Sequence, residues 1–112
     1  MSEPWFSRIR ARTKTVEGRL NKGKFTEMRV GTVVVVSKTA STSHSRSPKV
    51  VAVVTKVVRY ATFDQYLSQE GLAATLPGVP TIDQGVAVYR QFYAPALEKQ
   101  HGIVAIHLEV LS

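Results

Sequence analysis

Apolar residues recur along the chain with two spacings, one typical of strands and one typical of helices. A short amphipathic pattern over residues 4–11 predicts a first helix. Alternation of apolar and polar residues predicts strands at 13–20 and 103–111. Two β-branched runs predict a buried strand at 32–36 and a long strand at 49–60, and we expect these two strands to pair as a hairpin.

Two helices in the second half begin with the same signature, a threonine followed three residues later by a glutamine. Such a pair forms a capping box, in which the hydroxyl and the amide each satisfy a free backbone N–H. The pairs are Thr62 with Gln65 and Thr81 with Gln84, and they predict helices over about 62–70, ending at Gly71, and about 82–93. A short helical turn over about 95–102 precedes the closing strand. This order of elements predicts an α+β fold around a small, strongly twisted sheet or barrel.

The composition predicts one small domain, which we expect to be intracellular. The chain has 112 residues, 44% of them hydrophobic, and no cysteine, so the fold uses neither a disulfide nor a thiolate metal site. No apolar run approaches the roughly 20 residues of a membrane span, and the first residues lack the order of a signal peptide. We expect a cytoplasmic or nuclear protein without membrane contact. A Ser/Thr-rich stretch at 37–48 predicts a mobile loop.

Positive charge is concentrated in the first half of the chain. The net charge is +7, and 13 of the 15 lysines and arginines lie within residues 1–60, together with three acids. Residues 61–112 hold the other two cations and five acids. Such asymmetry indicates a basic face, whose usual partners are polyanions, although a basic composition also serves solubility alone.

The densest cluster of charged residues is the segment 13–24, which interleaves one acid with four cations. In the predicted strand, Glu17 and Arg19 share one face while Lys14, Val16 and Leu20 share the other. A lone acid among cations is typical of a ligand cleft, in which Arg19 or Lys14 meets a phosphate and Glu17 accepts from a base amine. The alternative is an internal ion pair that ties the strand to a helix.

Further candidates are basic, amide and aromatic side chains that could follow a nucleic-acid backbone or stack on a base. Tyrosines at helical spacing also serve as core residues, and Trp5 is expected in the core. The predicted ligand-binding residues are Arg12, Lys14, Thr15, Glu17, Arg19, Asn21, Lys22, Lys24, Arg59, Tyr60, Tyr89 and Tyr93. No histidine has a second ligand at metal spacing, so we expect no metal and no cofactor; the three are His44, His101 and His107.

The segment Lys14-Thr15-Val16-Glu17-Gly18-Arg19 resembles the signature of ASCH domains, small barrels similar to the PUA fold. The likeness extends over nearly the whole chain, in the family's order. Its further motifs are Arg59-Tyr60, Gln69-Glu70-Gly71-Leu72, Leu76-Pro77-Gly78, a stretch from Gly85-Val86 to Phe92-Tyr93, and Gly102-Ile103-Val104-Ala105-Ile106. The resemblance implies a PUA-like β-barrel of about five to six strands, flanked by three to four short helices.

The same resemblance implies a nucleic-acid-associated module with a cleft beside the barrel. Some bacterial relatives hydrolyse acetylated cytidine with a lysine, a nearby threonine and a distant glutamate, and ribonuclease activity has been proposed in the family. Lys14 matches that lysine, but Glu17 stands where the threonine would be. Two smaller departures are Arg12, where many relatives have glycine, and Thr32, where many have aspartate.

We therefore predict a monomeric, non-catalytic module that binds RNA or single-stranded nucleic acid in a basic groove. A nucleotide-sized pocket at residues 14–19 would also accept a nucleotide-like small molecule. Two alternatives stay open. One is a hydrolase of a modified nucleoside or of RNA, with Lys14 as general base and Glu17 as its acid–base partner. The other is a protein-interaction adaptor that meets a basic partner through the acidic second half.

Overall fold

The computed structural model describes residues 4–37 and 49–111, which form a four-stranded sheet and five α-helices. The helices are α1 (Trp5–Arg10), α2 (Phe63–Glu70), α3 (Leu72–Thr75), α4 (Ile82–Arg90) and α5 (Pro95–His101). The strands are β1 (Val16–Leu20), β2 (Val33–Ser37), β3 (Lys49–Tyr60) and β4 (Ile103–Val110), and a 3-10 helix, Gly23–Glu27, follows β1. The predicted α+β class is confirmed, with four strands in the described residues where five to six were expected and five helices where three to four were expected.

The strands lie in the order β1-β4-β3-β2, and all neighbouring pairs are antiparallel. The predicted hairpin is confirmed, with Val33 opposite Val53 and Ser37 opposite Lys49. The closing strand β4 lies between β1 and β3 and pairs with both. A register shift at Val54 bends β3, as β-bulges do. The sheet is a curled half-barrel, with β1 and β2 as its two edge strands.

Alternation along β4 divides the core into two clusters, one on each face of the sheet. Ile103 and Ala105 belong to the first cluster, which contains side chains of α2 and α4. Val104 and Ile106 belong to the second cluster, which side chains of α1 fill. The first cluster therefore lies between the sheet and helices α2 and α4, and the second lies between the sheet and α1.

The prediction of a buried strand at 32–36 is wrong in its burial. A strand forms there, shifted by one residue, but Val33 and Val35 are 59% and 58% exposed. Val34 and Val36 are half-buried against the second cluster. The cause is topology, because β2 is an edge strand of the described sheet, and Val33 and Val35 belong to neither core cluster. A β-branched run favours a strand, but its place in the sheet decides whether that strand is buried.

The hydroxyl half of each predicted capping box is confirmed at the starts of both long helices, but the amide half is not, since Gln65 Oε1 accepts from the Ala61 N–H and Gln84 Oε1 accepts from the Thr81 hydroxyl. The hydroxyl of Thr62 accepts from the Gln65 N–H at 3.1 Å, and the second pair repeats this contact at 3.2 Å. Gly71 ends α2 as predicted, with a positive φ of 87° that favours glycine, but its ψ of 142° lies outside the αL conformation of the predicted left-handed cap. Helix α4 ends at Arg90, earlier than predicted, and Tyr93 follows in the connecting turn.

Some predictions concern residues outside those described. The loop predicted at 37–48 lies outside the described residues except for Ser37, which ends β2. His44 also lies outside them. Among the described residues, no helix is long and apolar enough to cross a membrane.

Candidate functional site

The predicted division of β1 into two faces is confirmed. Val16 and Leu20 are buried in the first cluster, whereas Glu17 and Arg19 lie on the opposite side and are half-buried. Lys14, just before the strand, is on the buried side and is 2% exposed. Because β1 is an edge strand, this alternation places the charged side chains at the border of the sheet.

The charged residues of β1 line a pocket of about 260 Å³, which we call the aromatic pocket. Four aromatic residues contribute to its walls: Trp5 from α1, Tyr89 from α4, and Phe92 and Tyr93 from the turn that follows α4. The remaining lining residues are Lys14, Glu17, Gly18, Arg19, Leu76 and Val88. A concave site that combines apolar walls with a few charged groups is the usual form of a small-ligand site.

Gly18 gives the pocket its inner wall, because the ring of Tyr66 occupies the space next to it. A Cβ at Gly18 would lie 2.5 to 2.7 Å from the ring and hydroxyl of Tyr66. Tyr66 is fully buried, and its hydroxyl lies 3.1 Å from that of Tyr89. Burial raises the pKa of both phenols, and the nearby Glu17 carboxylate adds to that rise. The pair therefore stays protonated and holds Tyr89 in place at the pocket.

The ammonium group of Lys14 is held at the buried side of the pocket by two backbone carbonyls. Its Nζ donates to Val16 O at 2.7 Å and to Thr75 O. It lies 3.8 Å from Glu17 Oε1. Burial lowers the pKa of Lys14; Glu17 opposes this shift, and Arg19 adds to it. The ammonium group thus ties β1 to α3 and places a positive charge under the Glu17 carboxylate.

Glu17 is the common partner of the charged groups in the pocket. Its Oε1 accepts from the Gly18 N–H at 3.0 Å, and its Oε2 lies 3.7 Å from Arg19 Nη2. Burial lowers the pKa of Arg19, but Glu17 and then Tyr93 and Tyr89 outweigh it, so that the net shift is upward. Oε2 is therefore oriented but not saturated, since 3.7 Å is longer than a hydrogen bond.

A second depression, of about 610 Å³, adjoins the aromatic pocket and shares Glu17 and Arg19 with it. It is lined by both edge strands of the half-barrel, so we call it the β1–β2 groove. Its lining is mainly apolar and includes Phe25, Met28, Val34, Val35, Val36, Ile106 and Leu108; Lys24, Glu27, Thr32 and Ser37 are the other polar residues.

Half of the predicted ligand-binding residues lie at these two depressions. Lys14, Glu17, Arg19, Tyr89 and Tyr93 line the aromatic pocket, and Lys24 lines the groove. Lys14 and Arg19 therefore lie 3.8 and 3.7 Å from the Glu17 carboxylate, and Lys24 lies in the adjoining groove, over the Phe25 ring. This convergence in one concave region is the arrangement expected if the basic face binds an anion.

The other predicted cations are outside the two depressions. Arg12 Nη2 donates to Val110 O at 3.4 Å, and Arg59 Nη2 donates to Thr26 O at 3.1 Å. Both arginines are exposed, so their charges remain accessible to a polyanion. Thr15, Asn21 and Lys22 also lie outside, and their contact with a ligand stays a prediction.

Tyr60 faces the core side of the sheet rather than either depression. Its hydroxyl donates to Glu70 Oε2 at 2.6 Å, and its ring lies 6.1 Å from that of Tyr66. Partial burial, followed by the hydrogen bond to Glu70, raises the pKa of Tyr60 to about 12. Of the predicted tyrosines that line the aromatic pocket, Tyr89 is buried with its ring stacked on Phe63, so the candidate for stacking on a base is Tyr93, which is half-buried.

Three aromatic residues of the region were not predicted as site residues. Trp5 was expected in the core but is half-buried at the pocket, and Phe92 is 55% exposed there. Phe25 lies in the groove with Arg19 and Lys24 beside its ring. The signal for Phe25 was its position directly after a lysine of the basic segment. Trp5 has no such signal in the sequence, because the packing of α1 beside β1 is a tertiary contact that the local pattern does not show.

The described residues contain no group of three or more His, Cys, Asp or Glu side chains that could hold a metal ion. His107 lies with its Nε2 2.8 Å from Glu70 Oε1, away from the pocket lining. The chemistry of the site therefore rests on Lys14, Glu17 and Arg19 and on the aromatic walls.

A curled half-barrel with a charged edge strand and an adjoining aromatic pocket defines a small α+β domain with a ligand-sized cleft. The sequence matches the ASCH domain family over residues 1–112, and the chain belongs to that family. This membership supports a nucleic-acid- or RNA-related role in general terms.

Two solved structures share the fold along their whole length. The crystal structure of the hypothetical protein PH0355 is 32% identical, with a TM-score of 0.81, covering 99% of this chain and 100% of that one. The solution structure of PF0455 from Pyrococcus furiosus is 33% identical, with a TM-score of 0.74, covering 100% and 99%. No curated protein matches the sequence.

Proposed function

We propose that this ASCH domain binds RNA or single-stranded nucleic acid and receives one base in the aromatic pocket. The observation that carries the proposal is the composition of that pocket, in which four aromatic residues surround the Glu17 and Arg19 side chains. Aromatic side chains stack on any base, at about 1–3 kcal/mol per base. RNA recognition modules commonly combine such stacking with polar contacts to the edges of splayed bases.

Glu17 and Arg19 would divide the recognition between them. Glu17 Oε2 can accept from an exocyclic base amine, the contact that carboxylates make with cytosine N4. Arg19 is a third exposed and beside the carboxylate, so its guanidinium can meet a phosphate oxygen or a base carbonyl. Lys14 would act indirectly, since its Nζ is occupied by Val16 O and Thr75 O.

The basic segment next to the pocket would supply the sequence-independent part of the affinity. Lys22 and Lys24 are exposed, and Lys24 lines the adjoining groove. Each phosphate that a lysine neutralises on a single strand adds about 0.7 to the slope of log K against log salt. Binding should therefore weaken as salt rises, by an amount that these side chains determine.

The experiment uses Trp5, the one tryptophan of the chain, as a reporter inside the pocket. Quenching of its fluorescence is titrated with eight-nucleotide RNAs of A, C, G or U at about 50 and 200 mM salt. Replacing Lys22 and Lys24 together by Ala should weaken binding to every RNA and flatten the salt dependence. Lys99→Ala is the matched control, because Lys99 is exposed on α5 away from both depressions.

Two outcomes would reject the proposal. One is a lack of Trp5 quenching by all four RNAs at the lower salt. The other is an equal slope of log K against log salt in the Lys22/Lys24 double variant and in the Lys99→Ala control, because the basic segment would then make no contact with phosphate. A base preference that favours cytosine would assign the Glu17 contact, and Glu17→Gln should then reduce that preference.

A hydrolase is the second candidate, and one observation favours it. Burial lowers the pKa of Lys14, as a lysine general base requires, and its Nζ lies 3.8 Å from Glu17 Oε1. Turnover of acetylated cytidine by the wild type, lost in Lys14→Met but not in Lys99→Met, would support this function. Turnover that survives in Lys14→Met would exclude Lys14 as the base.

A further inference from the structure

Two cations lie over the ring of Phe25 in the β1–β2 groove. Arg19 Cζ lies 5.6 Å and Lys24 Nζ 5.3 Å from the ring centroid. Phe25 is half-buried and packs against the second core cluster, so the ring has a fixed position. Lys24 is exposed, and its flexible chain can move off the ring at little cost.

The groove is continuous with the aromatic pocket through Glu17 and Arg19, which line both. Arg19 therefore lies where a ligand would pass from one depression to the other. The groove, at about 610 Å³, is larger than the pocket, at about 260 Å³. The pocket alone has room for a base, and a ligand larger than that extends into the groove.

We propose that the β1–β2 groove is the subsite for the nucleotide adjoining the one in the aromatic pocket. The smallest complete ligand is then a two-nucleotide step of a single strand. Its linking phosphate lies at Arg19, and its second base stacks on Phe25. This inference rests on the proposed function, and it adds a second site and sets the length of the ligand.

The chemistry of the groove fits a base flanked by phosphate better than an apolar ligand alone. Val34, Val36 and Ile106 offer a flat apolar surface to the base face. Arg19 and Lys24, whose charged groups lie over the Phe25 ring, offer positive charge to the phosphates of the nucleic-acid backbone. An extended apolar peptide would bury the same surface but would bring no anion to Lys24 or to Arg19, whose present acidic partner is Glu17.

The four isoleucines of the chain provide a direct test by methyl NMR. Ile106 lines the groove, whereas Ile9, Ile82 and Ile103 lie outside both depressions. The probes are 5′-phosphorylated mononucleotides, the matching dinucleotides, and dinucleotides in which either base is replaced by an abasic site. The dinucleotides should shift the Ile106 δ1-methyl signal, and the mononucleotides should not.

Affinity gives the second readout, with variants that keep the fold. Each dinucleotide should bind about tenfold more tightly than its mononucleotide, since stacking of one base supplies about 1–3 kcal/mol. Phe25→Leu keeps the apolar packing but removes the ring face, so it should abolish most of this gain. Phe25→Tyr should retain it. Val30→Ala is the control, because Val30 is exposed and outside the groove.

The outcomes separate this inference from the proposed function. Loss of the dinucleotide gain in Phe25→Leu, together with the Ile106 shift, supports the second subsite. Mononucleotide quenching of Trp5 with no Ile106 shift by any dinucleotide overturns the subsite and leaves the proposed function standing. A dinucleotide gain that survives in Phe25→Leu, or in both abasic ligands, also overturns it, since phosphate contacts alone would explain the gain. Absence of binding by mononucleotides, dinucleotides and the longer RNAs rejects both.

Discussion

Replacing Gly18 by Ala should destabilise the protein through one contact. The added Cβ would lie 2.5 Å from Tyr66 Cζ and 2.6 Å from Cε2, where carbon atoms normally stay about 3.5–4.0 Å apart. The Gly18 backbone lies in a regular strand with negative φ, so it makes no demand for glycine of its own. The ring of Tyr66 is therefore the reason for a glycine at this position.

The cost follows from how little the ring can move. Tyr66 is fully buried and contacts Phe63 edge-on, with ring centroids 6.5 Å apart. Forcing one extra methyl into such a core costs about 1–3 kcal/mol. A shift of the ring would also break its hydroxyl contact with Tyr89, at about 1 kcal/mol. We expect Gly18→Ala to lower the free energy of unfolding by about 2–4 kcal/mol.

Urea unfolding of a double-mutant cycle with Tyr66→Leu measures this contact directly. Leucine at position 66 lacks the atoms that would meet the new methyl group, so Gly18→Ala should cost less than about 1 kcal/mol in that background. The coupling energy should thus exceed about 1 kcal/mol. An equal cost in both backgrounds would refute the argument, because it would place the penalty in the strand backbone. Gly18→Ala should also change Trp5 fluorescence, since Gly18 lines the same pocket.

Three further predictions concern residues outside the pocket. The pKa of Tyr60 is raised to about 12 in the folded protein, so the unfolded phenol ionises first and the free energy of unfolding falls as pH rises from 10 to about 12. Tyr60→Phe should reduce this loss, which urea unfolding at pH 9 and 11 measures. Glu98→Gln should cost about 1–3 kcal/mol in urea unfolding, because buried Glu98 accepts from Arg90 Nη2 at 2.7 Å and from the Phe63 N–H at 2.6 Å, and a neutral amide weakens both hydrogen bonds. Val33→Thr should change the free energy of unfolding by less than about 0.5 kcal/mol, because its side chain is exposed; a larger loss would mean that β2 is covered in solution.

The sequence predicted the elements of the fold where one local interaction decides them. Thr62 and Gly71 mark the two ends of α2, since a hydroxyl cap and a positive φ are properties of single residues. It did not predict the exposure of Val33 and Val35, because β2 is an edge strand only through the order in which distant strands pair. Burial of a strand is a property of the whole sheet, and local pattern does not contain it.

For the candidate site too, the sequence predicted what depends on local pattern and missed what depends on tertiary packing. Alternation along β1 placed Glu17 and Arg19 on one face and Lys14 on the other, and the structure confirms both. The aromatic walls were only partly predictable, because Trp5 is remote from the segment in sequence and reaches the pocket through the packing of α1. The burial of Lys14 also needed the fold, since the carbonyl of Thr75 completes its environment.

Electrostatics around Glu17 places a condition on any ligand of the pocket. The carboxylate already balances Arg19 and Lys14, so a ligand that only donates to Glu17 weakens its hold on Arg19 and gains little. A ligand that only brings an anion to Arg19 meets the repulsion of the carboxylate 3.7 Å away. A group with a donor for Glu17 and an anion for Arg19 satisfies both charges at once. A nucleotide has this combination, whereas a free base or inorganic phosphate has one half of it, and both should bind more weakly than the nucleotide.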